Sequence, residues 1–179
     1  ICVLLVGSNK IYAINIDDLR DNPLNVPSEL ESIVYIKTGN IICTGTLINH
    51  RTILTAAHCF NDTQQAQIFL GDNVDENSTF KETSSFITYP ENKRYINFTG
   101  ASYDLALISL KDPLTEITAI NISSVIPSIN DEIYLSGFGL YGTGSEPDQG
   151  FDWKKRWGTN TISTINDEDI INGASNLNN

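Results

Sequence analysis

The 179-residue chain contains no methionine, only two histidines, two tryptophans and three cysteines, and just 18% of its residues are charged. Each shortage excludes something. Without Met the sequence does not open at a usual translation start, so it is expected to be a fragment or a processed form. The histidines are His50 and His58, and Cys59 simply follows His58, so no Cys/His group has metal-ligand spacing and no metal is expected from them. Positive charge is scarce too: 11 Lys and Arg stand against 22 Asp and Glu, a net charge of −11. Such a chain repels phosphate backbones, so no nucleic-acid partner is expected. The acidic residues are scattered among apolar ones, which excludes a polyacidic tail. Long hydrophobic runs are missing, and nothing approaches the roughly 20 residues of a membrane span. No segment keeps a helical period over three turns.

What is present begins with an apolar opening, Ile1-Cys2-Val3-Leu4-Leu5-Val6-Gly7. It reads either as the tail of a targeting segment, with Ala13 as the cleavage residue, or as a buried first strand. Cys2 lies in that stretch, which leaves Cys43 and Cys59 as a pair. In an exported chain such a pair reads as one disulfide. Its loop spans 59 − 43 = 16 positions, worth about 3 kcal/mol in the chain-entropy account.

Residues 14–31 are mostly polar, carry Pro23 and Pro27, and read as an extended arm. From Ser32 onward the pattern changes to short apolar runs, many rich in β-branched residues, separated by Gly, Asn, Asp and Pro. Examples are Ile33-Val34-Tyr35-Ile36, Ile41-Ile42-Cys43, Leu105-Ala106-Leu107-Ile108 and Thr161-Ile162-Ser163-Thr164-Ile165. This is the signature of an all-β barrel or sandwich with long loops.

Two polar residues stand at the ends of such runs. His58 follows Leu54-Thr55-Ala56-Ala57, and the small residues before it let its ring lie against backbone at a strand end. Cys59 then pins that turn to the strand of Cys43. Asp104 precedes Leu105-Ala106-Leu107-Ile108, where a carboxylate is costly unless it is paired. Taken singly, each residue is more often structural: a His beside a Cys, an Asp capping a turn.

The whole strings change that balance. Cys43-Thr44-Gly45-Thr46-Leu47-Ile48 with Thr52-Ile53-Leu54-Thr55-Ala56-Ala57-His58-Cys59 closely resembles the histidine motif of trypsin- and chymotrypsin-like serine proteases. The family usually has Gly-Gly-Ser after the first Cys, where this chain has Thr44-Gly45-Thr46. Asp104 to Ile108 resembles the family's aspartate motif, and 104 − 58 = 46 resembles its interval. Leu135-Ser136-Gly137-Phe138-Gly139 resembles its Gly-aromatic-Gly motif, usually built with Trp. The loop Tyr141-Gly142-Thr143-Gly144-Ser145 and the basic residues after it look like the layout of some bacterial members.

The resemblance implies a chymotrypsin-like double β-barrel, all-β, with the first barrel complete over residues 32–130 and the second only begun over 131–179. Residues 1–13 would be a signal-peptide remnant, and 14–31 the arm. It also implies a serine endopeptidase acting on protein or peptide substrates, secreted or periplasmic, with His58 as general base and Asp104 as its orienting acid. The order His then Asp, with Ser last, is that of chymotrypsin. The nucleophile's Gly-Asp-Ser-Gly-Gly context does not occur. Ser145, Ser163 and Ser175 sit in other surroundings, so the serine is expected outside this sequence and the chain as given is expected to be inactive. The usual Ile-Val-Gly-Gly activation start is not found either. The reading from a different class is a catalytically inactive homologue that uses the barrel to bind protein.

Two charged clusters remain. Lys154, Lys155 and Arg156, between Trp153 and Trp157, are expected to be a solvated loop edge. Leu70-Gly71-Asp72-Asn73-Val74-Asp75-Glu76-Asn77 is an acidic loop where some relatives bind Ca²⁺. A solvated acidic turn is the expectation there, with a structural calcium as the alternative and no other cofactor.

Overall fold

The computed structural model describes residues 12–16, 24–60, 65–75, 77–89, 104–143, 146, 149–165 and 170–172, with backbone alone at 12–16, Tyr89 and 170–172. Strands dominate, and the described helical turns are two short 3₁₀ segments, Ser28–Leu30 and Ala57–Cys59. Six strands close into an antiparallel barrel. These are β2 (Ile33–Thr38), β3 (Ile41–Asn49), β4 (Thr52–Thr55), β5 (Gln67–Phe69), β6 (Phe80–Tyr89) and β7 (Leu105–Leu110). Their order around the barrel is β2-β3-β4-β7-β6-β5, and β5 returns to β2 to shut it. Closure removes the exposed sheet edges.

The barrel interior follows from period-2 alternation. Val34, Ile36, Leu47, Ile53, Ile68, Ala106, Ile108 and Leu110 point inward and are buried. The run Leu105-Ala106-Leu107-Ile108 is apolar at every position, yet only Ala106 and Ile108 enter the core. Leu105 and Leu107 stay on the outer face, 49% and 42% exposed. The β2–β3 hairpin turns through Gly39-Asn40, and φ of +59° at Gly39 suits the residue without a Cβ.

A second body of sheet begins after residue 131. β8 (Glu132–Gly137), β10 (Arg156–Ile165) and β11 (Ile170–Asn172) form a three-stranded sheet in the order β11-β10-β8. β9 (Leu140–Thr143) pairs in parallel with β1 (Tyr12–Ile16). The segment around Ala13 therefore contributes a strand, joined to sequence more than a hundred residues away.

The outer face of the barrel holds the second apolar cluster. Tyr35, Phe69 and Val74 pack there with Phe138 of the Gly137-Phe138-Gly139 motif. Both Phe69 and Phe138 meet Tyr35 edge-on, at 5.6 and 5.3 Å between ring centres. Thr44 secures this seam. Its hydroxyl accepts from the Phe138 amide at 2.9 Å and donates to the Phe138 carbonyl at 3.2 Å.

Candidate active site

The register of β4 against β7 creates the site. Thr55 pairs with Ala106. The chain leaving β4 carries His58 three residues later, and the chain entering β7 carries Asp104 two residues earlier. Antiparallel pairing therefore brings both to the same end of the barrel. The His58 backbone amide donates to Asp104 Oδ1 at 2.9 Å, and His58 Nδ1 lies 2.5 Å from Oδ2.

A carboxylate only accepts, so the proton of the neutral ring sits on Nδ1. Nε2 is left with its lone pair. The His58 side chain is 35% exposed, whereas that of Asp104 is 13% exposed. An accessible imidazole held in one tautomer by a shielded carboxylate can take a proton at Nε2 and be stabilised as an imidazolium.

Several side chains hold the histidine turn. Cys59 is bonded to Cys43 on β3, with 6.2 Å between their Cα atoms. Thr38 Oγ1 donates to the Cys59 carbonyl, and Thr55 Oγ1 donates to the Thr44 carbonyl at 2.8 Å. Phe60, just past the turn, stacks on Phe86 of β6. Thr38 and Thr55 were not singled out by sequence. Thr55 lies inside the quoted string, but nothing in its own chemistry marks it. The sulfurs near His58 are spent on the disulfide, so they offer a metal no thiolate.

Burial pushes the Asp104 carboxyl up, but the hydrogen bonds from the His58 ring and backbone outweigh it and leave the group below its ordinary 3.8. The sign follows. A folded value below the unfolded one adds stability above the unfolded value, and the gain disappears as pH falls through the folded value. Stability is therefore expected to drop on acidification below about pH 4. Thermal melts of the native chain and Asp104→Asn across that range should show part of this slope in the native chain alone. Parallel slopes would contradict the pairing.

Ser163 lies within β10, while Ser145 and Ser175 fall outside the described residues. His50 is a tie between segments: its ring pairs with the Leu114 carbonyl and its own carbonyl accepts from the Leu114 amide.

The basic cluster departs from expectation. Lys154 is at the surface, but Lys155 and Arg156 are buried. Arg156 makes a two-pronged pair with Asp152 at 2.6 and 2.9 Å and lies 3.6 Å over the Tyr141 ring. These hydrogen bonds hold the Asp152 carboxyl below its usual range. Lys155 reaches Asp72 at 2.9 Å. A solvated edge would leave these cations in water, whereas here each is buried against a carboxylate and an aromatic ring.

A closed six-stranded barrel, a second sheet stitched to its outer face and a His–Asp pair at one rim form a chymotrypsin-like arrangement. Mouse neuropsin, a serine protease expressed in the limbic system of the brain, superposes with a TM-score of 0.69 over 86% of this chain and 74% of its own. At 20% identity that likeness concerns the fold. The Trypsin family model matches residues 27–173. Rat trypsin V-A is 30% identical over 120 residues, which is 63% of this chain and 46% of that protein. Thrombin-like enzyme 2 of Trimeresurus albolabris is 30% identical over 124 residues, 65% of this chain and 46% of its own. The chain belongs to the trypsin family of serine proteases. It spans about half the length of the curated relatives it matches. Among the described residues no helix is long and apolar enough to cross a membrane.

Proposed function

We propose that this chain is the part of a secreted or periplasmic serine endopeptidase that supplies the base and the orienting acid of a Ser-His-Asp triad, with the serine contributed by sequence outside these 179 residues. The observation that carries the reading is the His58–Asp104 pair, with Nδ1 engaged and Nε2 left for a proton. In a complete site His58 would take the proton of the attacking hydroxyl, giving a tetrahedral adduct and an imidazolium that Asp104 steadies. It would then return that proton to the leaving amine, whose departure leaves the acyl-enzyme. Water would repeat the sequence to release the acid. The Cys43–Cys59 bond supports export.

Extending the chain through a Gly-Asp-Ser-Gly-Gly segment is expected to create hydrolysis of casein, and residues 1–179 alone should show none. The oxyanion hole arises near that serine in the family, and losing one of its donors alone costs about 10²–10³ in rate. An extended chain that binds protein but cannot hydrolyse a reactive ester would favour the non-catalytic binding module instead.

A further inference from the structure

The acidic loop over residues 70–77 can be tested directly as a cation site. Ca²⁺ takes six to eight oxygen ligands at about 2.3–2.6 Å. Among the described residues of the loop, both aspartates already have an oxygen engaged. Asp72 Oδ1 already lies 2.9 Å from Lys155 Nζ. Asp75 Oδ1 is turned inward on its own turn, accepting from the Asn77 amide at 2.9 Å and from Ser78 Oγ at 3.0 Å.

Lys155 is placed with unusual completeness for a lysine. Its side chain is 0% exposed, and lysine is almost never fully buried without a partner. Its ammonium also donates to the Leu30 carbonyl at 3.3 Å and stands 5.9 Å from the centre of the Phe138 ring. The backbone is stitched at the same place. The Lys155 amide donates to the Asp72 carbonyl at 2.7 Å, the Val74 amide donates to the Trp153 carbonyl at 3.1 Å, and Asn73 bridges to Lys154. Three segments meet at this one cation: the loop after β5, the segment entering β2, and the segment that leads into β10.

We infer that Lys155 is the built-in cation of this junction, neutralising Asp72 where a divalent ion would otherwise stand and tying the acidic loop, the entry to the barrel and the second sheet together without a metal. A fixed ammonium against the carboxylate removes the charge that would draw Ca²⁺ and repels a second cation. The long apolar stem of the lysine fills the path to the buried position. A soluble ion could not couple the loop to β10 in this way, because it has no covalent link to that strand.

The test needs no proteolysis, so it stands or falls separately from the proposed activity. Calorimetric titration of the native chain with Ca²⁺ should give no binding heat, and its melting temperature should be the same in Ca²⁺ as in chelator. Asp72→Asn, which strands the fully buried ammonium, should lower the melting temperature by about 10 °C, and Lys155→Met, which leaves a half-exposed carboxylate, should lower it by less. The double variant Lys155→Met with Asp72→Asn should recover most of that loss, because no lone charge remains. A native chain stabilised by Ca²⁺ and destabilised by chelator would overturn the inference. So would single-variant losses that simply add in the double variant. If a single variant does not fold, the calcium arm on the native chain still decides.

Discussion

In a chain extended to carry the nucleophile, His58→Ala is expected to abolish nearly all peptidase activity, and Asp104→Asn to lower kcat about 10⁴-fold while the protein stays folded near neutral pH. The two losses have different origins. Alanine at 58 removes the imidazole that would accept the serine proton. Asparagine at 104 keeps its Oδ1 as an acceptor for the His58 amide, now at 2.9 Å, so the turn should hold its shape. At the second position the carboxylate oxygen facing Nδ1 becomes an NH₂. Two donors cannot share a hydrogen bond, so the ring must move its proton to Nε2 and turn Nδ1 into an acceptor. The lone pair then points at the asparagine and no longer at the serine. Steady-state kinetics on a peptide ester, with melts run in parallel, separate this from unfolding. KM should change far less than kcat, because neither residue is asked to bind the substrate. If the extended protein cleaved casein equally well after His58→Ala, the assignment of His58 as general base would be wrong.

That pair was legible in the sequence because the strings around each residue resemble the family's motifs. Each residue stands at the end of a short strand, and the strands announce themselves by β-branched runs and turn residues. The pairing of β4 with β7 does the rest, and the family resemblance supplies the order of the two. The disulfide was readable for a similar reason: once Cys2 is set aside, one pair remains.

The less legible features are the non-local ones. Nothing in Tyr12–Ile16 points to a parallel partner, and β9 lies more than 120 residues away. The counter-charge of Lys155 is Asp72, 155 − 72 = 83 positions back, so a local view sees three adjacent cations and assigns them to water. Arg156 was closer to legible, because Asp152 lies four positions before it, although a two-pronged pair needs the chain to turn there. In Leu105-Ala106-Leu107-Ile108 every residue is apolar, so composition cannot show which two face the core. Barrel closure decides it, and Asp104 meets a half-exposed outer row, not a wholly buried strand.

Gly45 shows how the same motif residues carry packing demands that composition hides. It sits opposite Val34 in the β2–β3 ladder, on the inward face. A Cβ there would lie 2.5 Å from Ile36 Cδ1 and 2.6 Å from Ile53 Cγ2. Ordinary carbon contacts need about 3.5–4.0 Å. Ile36 Cδ1 is a chain end and can rotate, but Ile53 Cγ2 branches directly from its Cβ and can move only with the strand. Both isoleucines are fully buried in a barrel that is closed on every side. The neighbouring position tolerates a departure from the family's usual glycine because it faces outward, where Thr44 uses its hydroxyl on Phe138. Gly45→Ala is therefore expected to cost about 1–3 kcal/mol, lowering the melting temperature by about 2–10 °C, and Gly45→Val to cost more. Adding Ile36→Val removes the Cδ1 contact and should return part of the loss, while the clash with Ile53 persists. Denaturant melts of the single and double variants measure this. A Gly45→Ala protein as stable as the parent would mean that position 45 faces outward, which would shift the β3 register by one residue and turn every inward side chain of that strand to the other face.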